Sequence, residues 1–269
     1  MSKVILVVLD GLSYSASKEC MGFLTALINE KKGKLYKVTS ELPSISRPLY
    51  ECILTGVKPV HSGIVHNSQN FMSKNRSIFH YAKDAGLKAG AAAYYWVSEL
   101  YNRSPFDINF DRHVEDTSLT IPYASFYYDD SYPDSHLFSD AESLRVKFNL
   151  DFLLIHPMNI DDAGHKFGHD SKEYRNKARI ADGILSLYLQ KWLDEGYSVI
   201  VTSDHGMNDD HSHGGVLECE VEVPLYLFGD AFSFEECEVK QTEICGTICE
   251  ILDIKHDKEI NKSLLKEIK

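Results

Sequence analysis

The stretch Ser198-Val-Ile-Val-Thr-Ser-Asp-His-Gly-Met207 decides how this chain of 269 residues is read. Ser198 to Ser203 is a run of small and β-branched residues, the composition of a strand buried in a parallel sheet. The run stops at Asp204-His205-Gly206. In open α/β sheets, ligands sit just beyond the carboxyl ends of the strands. A carboxylate beside an imidazole at such an end is a candidate pair of divalent-metal ligands. The same residues also suit a plain strand-ending turn with Asp204 as a cap. What favours the metal is that the event recurs.

Val4-Ile-Leu-Val-Val-Leu9 is a second apolar run, and it ends in Asp10-Gly11. Phe152 to Ile155 is a third, followed by Asp161-Asp-Ala-Gly-His165. His213 trails Asp204 and His205. Together Asp10, Asp161, His165, Asp204, His205 and His213 form six oxygen and nitrogen ligands in loops that follow strands. About this many side chains can hold two divalent cations about 4 Å apart. Between the first two runs lies Glu41-Leu-Pro-Ser-Ile-Ser-Arg-Pro-Leu-Tyr-Glu-Cys-Ile-Leu-Thr-Gly56. Pro48 fits the first turn of a helix, Ser46 its N-cap region and Gly56 its C-terminal end. A helix N-terminus offers unpaired N–H groups to an anion. A serine there that faces a cation can act as a nucleophile at neutral pH, although capping is the more ordinary role.

The remaining pattern alternates. Ser15 to Glu30 reads as one helix, Leu35 to Val38 as a strand, Ser77 to Ala85 as a helix and Lys88 to Tyr95 as a strand. Trp96 to Ser139 loses the pattern and is rich in Tyr, Ser, Asp and Pro, so residues 96–139 are expected to form a small cap or insertion. Helices follow from Ala141 and over Ser171 to Glu195. Val223 to Phe228 reads as a last strand at or near an edge, because Pro224 lacks an N–H. Thr242 to Leu252 and Asp257 to Lys269 read as terminal helices. The expectation is a single α/β catalytic domain over residues 1–269, with a mainly parallel sheet and helices on both faces.

Composition narrows the function. A net charge of -12 argues against a nucleic-acid duplex as partner. It leaves room for a phosphate substrate if bound cations supply positive charge. With 43% hydrophobic residues a sizeable core can form, yet no stretch approaches a membrane span, so no membrane partner is expected. The six cysteines show no paired metal-ligand spacing and read as reduced core residues. The run Val4 to Leu9 is too short for a signal peptide, which predicts a chain that begins at Met1 and stays in the cytoplasm. Oligomeric state is not legible.

These residues resemble the alkaline phosphatase superfamily, and most closely its nucleotide pyrophosphatase/phosphodiesterase branch. That family opens with an apolar strand ending in Asp-Gly, here Leu9-Asp-Gly11. Its nucleophile lies two residues before a Pro and nine before Thr-Gly, matched by Ser46, Pro48 and Thr55-Gly56. An Asn that contacts phosphoryl oxygens follows by twenty-one residues, at Asn67. The family's Pro-Asp-x-x-Gly-His element appears as Asp161 to His165 with Ile160 in place of the Pro. Its Ser-Asp-His-Gly-Met element is intact from Ser203 to Met207, and its last His-Gly is His213-Gly214.

The resemblance implies an alkaline-phosphatase-like fold. It implies one cation held by Asp161, His165 and His213, and another held by Asp10, Asp204 and His205 with Ser46 facing it. The implied activity is a metal-dependent phosphohydrolase that cleaves phosphodiester or pyrophosphate bonds through a phosphoryl-serine intermediate. A phosphomonoesterase is the alternative, with a sulfatase or a non-catalytic metal-binding module further off. Zinc is favoured because half the ligands are imidazoles, with manganese left open. The substrate expected is a small phosphate ester, nucleotides included, bound through Asn67 and Arg47, although Arg47 also suits pairing with an acid. The aromatic run from Tyr123 to Tyr132 could shelter an ester substituent. His211, two residues from His213, could compete for the metal but reads as a loop residue, and His66 and His169 read as lying behind the ligands or facing solvent. Three departures concern the substrate more than the chemistry: Ser rather than Thr at position 46, Leu49 and Tyr50 where Asn and His are usual, and His61-Ser62-Gly63 where the family has Ser-His-Gly.

Overall fold

A computed structural model of the chain describes residues 2–266. Along the chain run β1 (Lys3–Val8), α1 (Tyr14–Cys20), α2 (Gly22–Asn29), β2 (Gly33–Thr39), α3 (Ser46–Thr55), α4 (Pro59–Ser62) and α5 (Ile78–Asp84). Then come β3 (Ala89–Tyr94), α6 (Trp96–Tyr101), α7 (Ile108–Asp111), β4 (His113–Glu115), β5 (Tyr123–Tyr127), α8 (Asp134–Phe148) and β6 (Phe152–Ile155). The rest is α9 (Asn159–Phe167), α10 (Lys172–Asp194), β7 (Tyr197–Thr202), α11 (Glu218–Val221), β8 (Glu222–Phe228), α12 (Glu243–Ile251) and a 3₁₀ turn at Lys262–Leu264.

The strands form one sheet in the order β2-β8-β7-β1-β6-β3-β5-β4. Pairs β7·β1, β1·β6, β6·β3 and β3·β5 are parallel, while the β2·β8, β8·β7 and β5·β4 pairs are antiparallel. The fold is therefore α/β with a mainly parallel sheet. Successive side chains of a strand point to opposite faces. In β1, Val4, Leu6 and Val8 join the core on one face, built with residues of α3, α5, α6 and α12. Ile5 and Val7 join the core on the other face, with α1, α8 and α10. The three neighbouring strands β7, β1 and β6 are continuous apolar runs because both their faces are covered. Being parallel, they all end on the same side, and the loops that leave them meet there.

Several local expectations give way to packing. The helix expected over Ser15 to Glu30 is two helices, broken at Met21 (φ -92°, ψ 75°). β8 does lie near the edge as expected, with only β2 outside it. Pro224 is tolerated because the ladder to β7 ends at the pair Thr202–Leu225, one residue before it. Residues 96–139 contain α6 and α7, and their strands β4 and β5 extend the sheet itself at its far edge. The terminal helix expected from Asp257 is absent up to Lys266, apart from the 3₁₀ turn; residues 267–269 lie outside the described residues. Here tertiary contact overrides propensity: the Glu259 backbone lies so close to α12 that a Cβ on Gly246 would sit 2.1 Å from the Glu259 carbonyl oxygen.

One glycine is decisive for the site. Gly11 has φ +74°, and a Cβ there would lie 2.8 Å from Asp161 Cα and 2.9 Å from its Oδ1. The loop after β1 thus presses directly on the first turn of α9. Gly11→Ala is expected to destabilise the chain by about 1–3 kcal/mol, the scale of a strained backbone position. The shift of the urea midpoint measures it, and an unchanged midpoint would contradict the close approach.

Candidate active site

Strand ends deliver the acidic side chains. Asp10 follows β1, Asp204 and His205 follow β7, and Asp161 and His165 lie one turn apart on α9, after β6. His213 arrives on the loop between β7 and α11. The structure brings all six together as two groups. The ligand atoms of Asp10, Asp204 and His205 lie within 4.8 Å of one another, and so do those of Asp161, His165 and His213. The groups adjoin, since the His205 and His213 rings stack with centroids 3.7 Å apart.

The tautomers follow from the backbone. Each Nδ1 faces a carbonyl oxygen: His205 to Gly206 at 2.9 Å, His213 to Ser44 at 2.8 Å and His165 to His211 at 3.0 Å. A carbonyl only accepts, so each Nδ1 carries the hydrogen and each Nε2 keeps a lone pair toward the cluster. His165 Nε2 and His213 Nε2 then sit 3.2 Å apart as two acceptors. Around them are carboxylates. His205 Nε2 lies 3.3 Å from Asp204 Oδ2 and 3.5 Å from Asp10 Oδ1, and His165 Nε2 lies 3.4 Å from Asp161 Oδ2. Asp10 Oδ1, Asp161 Oδ1 and Asp204 Oδ2 are buried with no hydrogen-bond donor. Six groups that converge with lone pairs turned inward, three of their carboxylate oxygens buried without a donor, fit divalent cations.

The titration tendencies reflect that crowding. Burial, then the Asp10 charge, pushes both Asp161 and Asp204 well above the usual carboxylate range. Burial also works upward on Asp10, but the His156 imidazole beside it and the bond from the Tyr50 hydroxyl outweigh it and hold Asp10 down at about 2. Burial, with help from His213, pushes His205 down to about 3, so its imidazole is neutral and free to coordinate. His213 is also lowered by burial.

Ser46 opens α3, a helix whose ten residues are all buried. Its Oγ lies 2.9 Å from His205 Nε2, and the tautomer makes the serine the donor. The N-cap residue Ile45 offers no side-chain acceptor to this helix start. Ser44 faces elsewhere: its Oγ donates to the Gly215 carbonyl and accepts from Gly214 N, and its own carbonyl fixes His213. Asn67 sits against the helix start, its Oδ1 accepting from Arg47 N at 2.9 Å. That bond leaves the two amide hydrogens of Asn67 for another acceptor.

Arg47 corrects a sequence-based expectation. Its side chain does not reach for a phosphate; it is buried, 2.6 Å from Glu99 Oε2, donates to the Gln69 carbonyl and stacks 4.7 Å from the Trp96 ring centre. Glu99 also accepts from Phe106 N. The guanidinium is thus a strut that ties together the helix start, the Asn67 loop and α6. His211 contributes only its carbonyl, and His169 bonds Ser13 Oγ at 2.9 Å. Two site residues went unrecognised in the sequence. Tyr50 donates to Asp10 Oδ2. His156 Nε2 lies 3.3 Å from the same oxygen. His156 directly follows the apolar run Phe152 to Ile155, so the strand-end signal that exposed Asp10 also marks it.

Removing one partner of a buried ion pair leaves the other charge uncompensated, so Arg47→Ala is expected to lose about 3–5 kcal/mol of stability. Arg47→Met combined with Glu99→Leu should regain much of that loss. Chemical denaturation of the three proteins checks it; a single substitution that cost less than the double one would sink the strut.

Comparison with known proteins places this geometry. The model of the family described as Type I phosphodiesterase / nucleotide pyrophosphatase matches residues 4–218. The GPI ethanolamine phosphate transferase 2 catalytic subunit of Homo sapiens is 22% identical over 98% of this chain, and the Kluyveromyces lactis GPI ethanolamine phosphate transferase 2 is 24% identical over 97%. The chain spans 28% of the human protein and 33% of the yeast one. Murine ectonucleotide pyrophosphatase/phosphodiesterase 5, solved as an inactive variant with AMP, superposes with a TM-score of 0.74 at 15% identity, covering 99% of this chain and 100% of that one. A TAB5 alkaline phosphatase variant with magnesium superposes with a TM-score of 0.66 at 14% identity, over 95% of this chain and 100% of that one. The relatives overturn the cytoplasmic location expected from the sequence, since they are named as enzymes of GPI. A short N-terminal run speaks only for itself. Among the described residues, no helix is long and apolar enough to cross a membrane.

Proposed function

Because the chain belongs to the type I phosphodiesterase / nucleotide pyrophosphatase family, we propose that it cleaves a phosphodiester through a phosphoryl-Ser46 intermediate beside two divalent cations. The observation that carries this reading is the position of Ser46 Oγ, at the start of α3 and 2.9 Å from His205 Nε2. Asp161, His165 and His213 would hold one cation, and Asp10, Asp204 and His205 the other. Zinc suits the even split of imidazole and carboxylate ligands, and manganese is the second choice. Bound there, the cations supply Lewis-acid charge to the phosphoryl oxygens and to the attacking and leaving oxygens.

The chain's own residues do the rest. Ser46 Oγ gives up its proton to solvent and attacks phosphorus in line; the Oγ–P bond forms as the bond to the leaving oxygen breaks, and that oxygen takes a proton from solvent to leave as the alcohol. Asn67, braced through Oδ1 on Arg47 N, turns its amide hydrogens to a phosphoryl oxygen. The Ser46 N–H, which lies at the start of α3 ahead of the bonded Arg47 N, adds to that contact. Water then displaces Ser46 and completes hydrolysis. A second reading keeps every step but the last: an alcohol displaces Ser46 and the phosphoryl group is transferred. The relatives favour it, since the GPI ethanolamine phosphate transferases match 97–98% of this chain.

Both readings take a phosphodiester. A monoester brings a dianionic group that benefits from extra cationic contacts. Arg47, the one basic residue beside Ser46 in sequence, is tied to Glu99. Ethanolamine phosphate esters and nucleotide esters are the candidate classes, the latter because the similar murine enzyme was solved with AMP.

Exhaustive chelation should abolish hydrolysis of bis-p-nitrophenyl phosphate, and zinc or manganese should restore it. Full activity in a verified metal-free sample would contradict the two-cation reading. Ser46→Ala is expected to lose roughly 10³-fold or more in kcat, the scale of a missing nucleophile, while Ser44→Ala keeps most of its rate. The reverse order would move the nucleophile. On ester type, kcat/KM for bis-p-nitrophenyl phosphate should exceed that for p-nitrophenyl phosphate; a clear monoester preference would overturn the substrate class and leave Ser46 untouched. Added ethanolamine that diverts product to its phosphate ester would select transfer over hydrolysis.

A further inference from the structure

The two oxygens of Asp10 live in different surroundings. Oδ1 points into the cluster, 3.5 Å from His205 Nε2, and meets no donor. Oδ2 points away from it and takes the Tyr50 hydroxyl. Tyr50 is buried, and His156 packs edge-on against its ring with centroids 4.3 Å apart. His156 Nε2 stands 3.3 Å from the same Oδ2, and neither ring nitrogen of His156 makes a hydrogen bond. One side of Asp10 is thus closed by two aromatic rings and one donor, and the other, equally buried, faces His205 without a donor.

Tyr50 lies four residues after Ser46 on α3, one helical turn along the same face. The face that presents Ser46 to His205 therefore also presents Tyr50 to Asp10. A carboxylate free to rotate offers either oxygen or both. One with Oδ2 held by a phenol offers Oδ1 alone. The partners that orient a metal ligand in this way set its affinity.

We infer that Tyr50 is a positioning residue for the cation group nearest Ser46: its hydroxyl makes Asp10 a one-oxygen ligand and locks that ligand to the helix that carries the nucleophile. The inference rests on the two-cation reading of the site. It also gives position 50 a role of its own, since a tyrosine here supplies a donor to a ligand rather than a contact to substrate.

The test compares the full-length chain with Tyr50→Phe, which removes one oxygen and keeps the ring. Both proteins are stripped and titrated with zinc alone against a competing chelator, and both are melted with and without zinc. Tyr50→Phe should melt with the parent when chelated, bind one zinc equivalent as the parent does, and hold the other roughly 10–100-fold more weakly. With zinc in excess its kcat on bis-p-nitrophenyl phosphate should fall, with KM within about twofold of the parent, because the group positioned acts on the reacting oxygen rather than on substrate capture. Parental affinity for both equivalents in a folded Tyr50→Phe overturns the inference alone. A chelated variant that melts far below the parent also overturns it, by making Tyr50 a packing residue. A parent chain that binds no zinc or manganese overturns the two-cation reading itself.

Discussion

Three buried carboxylates, each with one oxygen that no donor meets, are the constraint on which the rest of this structure depends. Asp10, Asp161 and Asp204 follow three neighbouring strands and converge where each keeps an oxygen that no donor among the described residues satisfies. Taking an ionised carboxylate out of water is expensive, and placing three together adds repulsion. The three imidazoles beside them offer lone pairs and no compensating hydrogens. A protein that wanted only stability would put apolar residues or matched donors here. A cluster of acceptors held this rigidly is stable when cations supply the missing charge, and the surrounding fold exists to hold it in register.

The holding is visible at several levels. Parallel pairing sets β7, β1 and β6 side by side, so their ends deliver ligands to one place. Gly11 lets the loop after β1 touch Asp161, where any side chain would collide. Carbonyls of the Ser44, Gly206 and His211 peptides fix three rings in the coordinating tautomer. The buried Arg47–Glu99 pair braces the start of α3 against the loop that carries Asn67. Such a pair contributes little net stability against an apolar replacement, so its value lies in fixing one geometry around Ser46.

How much of this was legible in the sequence depends on the distance over which each residue acts. The strand ends were legible because an apolar run that stops at Asp or His is a local pattern, and it pointed to Asp10, Asp161, Asp204 and His205 at the carboxyl ends of the central strands. Ser46 was legible because Pro48 and Gly56 frame its helix. Arg47 was misjudged because its partners, Glu99 fifty-two residues on and the Gln69 carbonyl, have no local signature. Tyr50 looked like a departure from the family pattern, and only the fold shows that it reaches back forty residues to Asp10. The break at Met21 and the unwound segment after Asp257 follow from packing against neighbouring elements, which helical spacing alone does not register.

The most direct test of the account is anomalous X-ray scattering at the zinc edge from crystals of the zinc-loaded chain. The account predicts two peaks about 4 Å apart, the separation of a two-metal site. One should lie among Asp161, His165 and His213, and the other among Asp10, Asp204 and His205, next to Ser46 Oγ. A lone peak at the exposed grouping of His169, Asp170 and Asp209, or no peak at the strand ends, would contradict it.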